Sequence, residues 1–194
     1  MTTLSLSLNT SSFLLNRFLL FCQTLLTHGI RSEESDEAIF MQIYNRYSRI
    51  VDKVCFTFAS DNDDYNDLRQ DAWLNIWRGI DSFRGESKQS TWIYRVAINS
   101  CVSTARSSKK HKGNVHIDAA DLYTAETADS DSIERLHYLL SCLNPVDRSI
   151  TLLRLEDLDY EEIAKIMGMP RNTIATRLRR TRIKLTELSK RNDI

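Results

Sequence analysis

Trp92, Arg95, Asn99, Ser103 and Arg106 fall on one side of a helical wheel, and a loop carrying Arg84 and Lys88 leads into them. Aromatic and guanidinium planes stack on unpaired bases, amides read base edges and cations hold phosphates, so the stripe suits single-stranded DNA. It also fits a plain surface with Trp92 folded back on the core. A second set, Asn172, Thr173, Thr176, Arg179 and Arg180, shares one face of a later helix, with Arg177 at its margin. Such side chains match the edges and phosphates of duplex DNA. The other reading is a basic amphipathic helix with no DNA role. A third strip is acidic: Asp64, Asp67 and Asp71 line up with Leu74, Asn75 and Arg78. Leu74 and Trp77 near its edge are apolar residues that a merely solvated face does not need.

Helices must position these sets. Phe40, Ile43, Tyr44, Tyr47, Val51, Val54, Cys55 and Phe58 recur at three- and four-residue steps, predicting an amphipathic helix from about Glu33. Asp61 starts the next, which runs to about Ile80 with Ala72, Trp73, Ile76 and Ile80 inward. Gly85 marks a loop, and Ser90 or Thr91 is placed to cap a third helix near 91–106, whose inner side is Ile93, Tyr94, Ala97, Ile98, Cys101 and Ala105. The stretch 107–131 is polar, then acidic, and reads as a linker. Beyond it, Asn144 and Pro145 open a helix, Asp159 and Glu162 form a capping box, Gly168 to Pro170 make a turn, and a long helix follows over 171–189. Two short helices joined by a glycine turn, with small Ala164 at the crossing, describe a helix-turn-helix.

Composition agrees. The chain has 194 residues with five Gly and two Pro, which argues against a turn-rich all-β fold and suits long helices. The formal net charge is zero, yet residues 81–113 and 170–194 are basic while 114–147 are acidic, so the zero is a sum of opposed blocks. Two separated basic blocks suit two contacts with one polyanion, and equally two solvated helix ends. Cys22, Cys55, Cys101 and Cys142 show no CxxC spacing and the four His are scattered, so no metal site is expected. Cys55 and Cys101 are expected in the core. No phosphate-cradling, nucleophile-elbow or HExxH motif is written here, so neither a cofactor nor an enzyme activity is expected.

LDYEEIAKIMGMPRNTIATRLRRTRIKL, residues 158–185, resembles the region 4 helix-turn-helix of the extracytoplasmic-function (ECF) sigma factors of the sigma-70 class. NDLRQDAWLNIWRG, 66–79, is similar to the family's polymerase-binding helix, and FRGESKQSTWIYRVAINSCVSTAR, 83–106, to its promoter-melting segment. Together they cover about 35–190 in order and spacing. The resemblance implies an all-α fold of two small helical domains, region 2 over 33–106 and region 4 over 132–194, joined by a flexible linker over 107–131. It implies that Leu68, Gln70, Asp71, Leu74 and Trp77 dock on the β′ clamp helices of RNA polymerase core, with the β flap as a further contact. Arg84, Lys88, Trp92, Arg95, Asn99 and Arg106 would take bases flipped from the non-template −10 strand, Asn99 reading and the rest stacking or holding phosphate. Thr176, Arg179 and Arg180 would meet −35 base edges in the major groove, with Asn172 on the same face; Arg171, Thr173 and Arg177 would touch phosphates. It also implies an anti-sigma partner, often membrane-bound, and a bacterial cytoplasmic, nucleoid-associated location.

The chain departs from the family pattern at Ala175, often basic, and at Pro170, which replaces a short polar residue. Residues 1–32 have no counterpart in it. Their apolar run, ten of fourteen residues from Phe13, is broken by Asn16 and Arg17 and is expected to be a poorly packed leader, ahead of a loosely docked amphipathic helix or a membrane signal. Two other functions remain open: a helix-turn-helix regulator that acts without replacing sigma, which would not need 66–79 and 83–106, and a helical interaction protein that binds no DNA.

Overall fold

The computed structural model describes residues 33–107 and 130–191. The leader, most of the linker and Lys109, Lys110 and Lys112 lie outside the described residues. The described elements are all helical: α1 (Glu33–Phe58), α2 (Asn62–Gly79), a 3-10 turn (Ile80–Ser82), α3 (Gln89–Ser107), α4 (Ser130–Ser141), α5 (Pro145–Leu155), α6 (Tyr160–Met167) and α7 (Arg171–Arg191).

Three helix starts follow from their first residues. The Asp64 amide donates to the Asp61 carboxylate, the Asp147 amide to the Asn144 side chain and the Glu162 amide to the Asp159 carboxylate, at 2.8, 2.9 and 2.8 Å. Each bond satisfies an amide that the first helical turn leaves unpaired. Gly168 ends α6 at φ +63°, a left-handed conformation that costs glycine nothing and strains any larger residue. One expected cap is corrected. α3 begins at Gln89, because the Trp92 amide already bonds the Lys88 carbonyl at 3.2 Å, so Ser90 and Thr91 lie inside its first turn and Thr91 is buried. α4 starts within the segment read as linker; Ile133, His137 and Leu140 give it an inward face.

Phe40, Val51, Val54 and Cys55 of α1 pack with Leu68, Ala72, Trp73 and Ile76 of α2 and Ile93, Ala97 and Cys101 of α3. Phe40 meets Trp73 and Trp77 edge-on, at centroid distances of 5.7 and 5.0 Å. Cys55 and Cys101 are buried as expected, free thiols with sulfurs 3.9 Å apart. Arg69 ties α2 to α1 by donating to Asp52 at 2.6 Å and to the Tyr44 hydroxyl at 2.9 Å. Among α4 to α7, Leu140, Ile150, Leu153, Ile163, Ile166 and Ile174 are buried. From Phe40 onward the helices form one compact unit, in which α3 lies against α5 and α6.

Candidate nucleic-acid interface

On α3 the inward face is filled by Ile93, Ala97 and Cys101, which leaves Arg95 and Asn99 exposed. Trp92 is half-buried; its ring stands 5.3 Å from that of Phe83 and lies over Gly79, where a Cβ would come within 3.0 Å of it. Gly79 thus makes room for the indole, which is seated and only partly available for stacking. Arg84 is exposed in the loop, where Gly85 takes φ +73°. Arg106 lies on the backbone of the same helix; its side chain is outside the described residues. Lys88 and Arg95 are engaged within the chain. The Lys88 ammonium donates to Glu162 at 2.7 Å, and Arg95 donates to the carbonyls of Ile166, at 3.3 Å, and Lys165. The Glu162 carboxylate accordingly holds Lys88's charged form and raises its pKa.

The acidic strip is narrower than the spacing implied. The Asp64 carboxylate accepts the Ser60 amide and hydroxyl, both at 2.7 Å, so it fastens the start of α2. Asn75 donates to Ser100 at 2.9 Å and ties α2 to α3. Leu68, assigned to polymerase docking, is only 3% exposed and belongs to the core, because it shares its helix face with Ala72 and Trp73. Asp67, Gln70 and Asp71 remain exposed, beside half-buried Leu74 and Trp77.

On α7, Ile174 and Thr181 are buried, which fixes the rotation of the helix and leaves Asn172, Thr173, Thr176, Arg179 and Arg180 exposed. Arg171 is also exposed, paired with Glu161 at 3.1 Å and lying over the Tyr160 ring. Arg177, expected on phosphates, pairs with Asp147 at 2.8 Å at the start of α5. Two residues with no expected role sit between the modules. His137 meets the Phe56 carbonyl at 3.1 Å, and burial lowers its pKa. Arg148 donates to the carbonyls of Ser141, Leu143 and Thr57, at 2.7, 3.3 and 3.5 Å. The i, i+4, i+7 spacing of Ile133, His137 and Leu140 carried a signal for the first; nothing local marked the second.

Family models for sigma-70 region 2 and sigma-70 region 4 match residues 43–111 and 133–185. The ECF RNA polymerase sigma-E factor of Haemophilus influenzae is 32% identical over 167 residues, covering 78% of this chain and 88% of that protein. The chain belongs to the ECF sigma factors. The RNA polymerase sigma-H factor of Pseudomonas aeruginosa is 29% identical, with 78% of this chain and 86% of that protein covered. Among solved structures, the sigma factor RpoE in complex with the anti-sigma factor NepR, from Bartonella quintana, superposes with a TM-score of 0.64 at 25% identity. That match covers 78% of this chain and 96% of RpoE. CnrH, in complex with the cytosolic domain of CnrY, shares the fold, with a TM-score of 0.60 at 21% identity over 79% of this chain and 89% of CnrH. As an ECF sigma factor, the chain is a promoter-specific initiation factor that binds RNA polymerase and promoter DNA. A regulator acting without replacing sigma would have no use for region 2.

Proposed function

We propose that three surfaces of this sigma factor divide the work. Asp67, Gln70 and Asp71, with Leu74 and Trp77, form the patch for the β′ clamp helices, carboxylates setting register and the apolar edge giving affinity. Arg84, Lys88, Trp92, Arg95, Asn99 and Arg106 take the melted −10 strand. Extruding a base costs a few kcal/mol of stacking, which aromatic and cationic contacts offset. Thr176, Arg179 and Arg180 read −35 base edges, with Asn172 beside them and Arg171 and Thr173 on phosphates. The β flap is the partner assigned to the region 4 module.

The observation that carries this reading is the order of two sigma-70 matches along one chain, the second ending in a helix whose exposed face is Asn172, Thr176, Arg179 and Arg180. The chain is not itself an enzyme in this reading; catalysis belongs to the polymerase. A cytoplasmic, nucleoid-associated location follows from that partner, and no described helix is long and apolar enough to cross a membrane. RpoE's complex with an anti-sigma factor supports a partner of the same kind here. Run-off transcription with core polymerase plus this chain tests the proposal. Start sites sharing one −35 and −10 pair are expected; failure to open any template of the native genome would overturn it.

A further inference from the structure

Two of the cations assigned above to the −10 strand already hold oxygen atoms. Lys88 donates to a Glu162 carboxylate oxygen at 2.7 Å, in the first turn of α6. Arg95 reaches the other end of α6, where it takes the carbonyls of Lys165 and Ile166. The last carbonyls of a helix lack intrahelical partners and carry the negative end of its dipole. A carboxylate and two such carbonyls therefore offer Lys88 and Arg95 the same kind of ligand as a nucleic-acid backbone, anionic or partly negative oxygen. We propose that α6 is an internal substitute for phosphate, so that closure of region 4 on region 2 and capture of the −10 strand exclude one another. The inference rests on the −10 reading above.

The rest of the contact suits a latch that opens. Lys53 pairs with both oxygens of Glu156 at 2.8 Å, and His137 meets the Phe56 carbonyl at 3.1 Å. Arg148 reaches Thr57 at 3.5 Å while its own Nε is buried without a partner. A polar seam that leaves a buried donor unsatisfied is a weak one. Lys88 is 75% exposed in its pair, so salt screens that contact. Such contacts can hold because both faces belong to one chain, which gives them a high effective concentration. Thr176, Arg179 and Arg180 stay exposed, so closure masks strand capture and leaves the duplex-reading face free.

The full-length chain tests this without polymerase. Carbodiimide joins an ion-paired amine and carboxylate as an amide with no spacer, so peptide mass spectrometry should find Lys88 linked to Glu162, and a single-stranded −10 oligonucleotide should suppress the link. Glu162→Gln keeps the side-chain length and leaves the Asp159 cap on the backbone amide of residue 162 in place, and should raise affinity for that oligonucleotide about two- to fivefold. Glu156→Gln touches neither cation; by loosening closure it should also raise strand affinity and lower the yield of the link. Melting temperatures near wild type confirm that both variants fold. Absence of the link, or strand affinities unchanged in both variants, overturns the latch. A Lys88→Ala, Arg95→Ala holoenzyme that melts promoters at the wild-type rate instead overturns the −10 reading, and with it the competition, even where the link forms.

Discussion

Arg177 and Arg180 stand three positions apart on α7, and their surroundings give them different work. Arg177 is held by Asp147 at 2.8 Å, whereas Arg180 is exposed. A free guanidinium can bind a base edge in bidentate fashion, which is worth about 1–3 kcal/mol against the wrong base. Arg180→Ala should therefore weaken holoenzyme binding to the preferred −35 sequence by about that amount while core association is unchanged. Competition binding with scrambled duplexes checks it: an equal loss on every sequence would reduce Arg180 to a phosphate contact. The distinction between the two arginines was not legible in the sequence. Helical spacing placed Arg177 at the margin of the face, but its partner lies 30 residues away, at the start of another helix.

At the scale of elements, the junction of α1 and α2 depends on one mostly buried ion pair. The Asp52 and Arg69 side chains are 16% and 18% exposed. Burial raises the pKa of the Asp52 carboxyl, and Arg69 opposes that rise through its charge and its hydrogen bond. Burial also disfavours the Arg69 charge, but Asp52 outweighs it and the guanidinium stays protonated. Removing one partner strands the other, which is costlier than never having had the pair. Arg69→Met should destabilise the chain by about 3 kcal/mol in urea unfolding, and adding Asp52→Asn should recover much of the loss. A loss well under about 1 kcal/mol would mean that water reaches the site and solvates Asp52. Most of the elements themselves were legible, because Asp61, Asn144, Asp159 and Gly168 act on amides and carbonyls within a few residues. The start of α4 is not legible, because it is polar and continues an acidic stretch.

For the molecule as a whole, His137 makes the seam between the modules sensitive to acid. Its ring is buried against Phe56, with Arg148 nearby, and desolvation first, then that positive charge, lowers its pKa below 6.5. The backbone carbonyls of Phe56 and Ala59 partly offset this. The unfolded chain therefore takes up the proton at a higher pH than the folded one. This contribution to stability is therefore present above about pH 6.5 and declines as pH falls through and below it. Urea titrations from pH 7.5 to 5.5 should show a decline that His137→Gln reduces. Identical slopes for the two proteins would show that His137 contributes nothing to the acid response.

The sequence by itself determined most of the helices and most of their caps, the helix-turn-helix and the family, since each rests on local periodicity or on residues a few positions apart. Tertiary structure alone decided which candidates are free to act. It buried Leu68, turned Arg177 toward Asp147, spent Asn75 on Ser100 and gave Lys88 and Arg95 to α6. The physical reason is distance along the chain. The partner of Lys88 is 74 residues away and that of Arg95 about as far, and no periodic pattern records a contact between surfaces that only folding brings together.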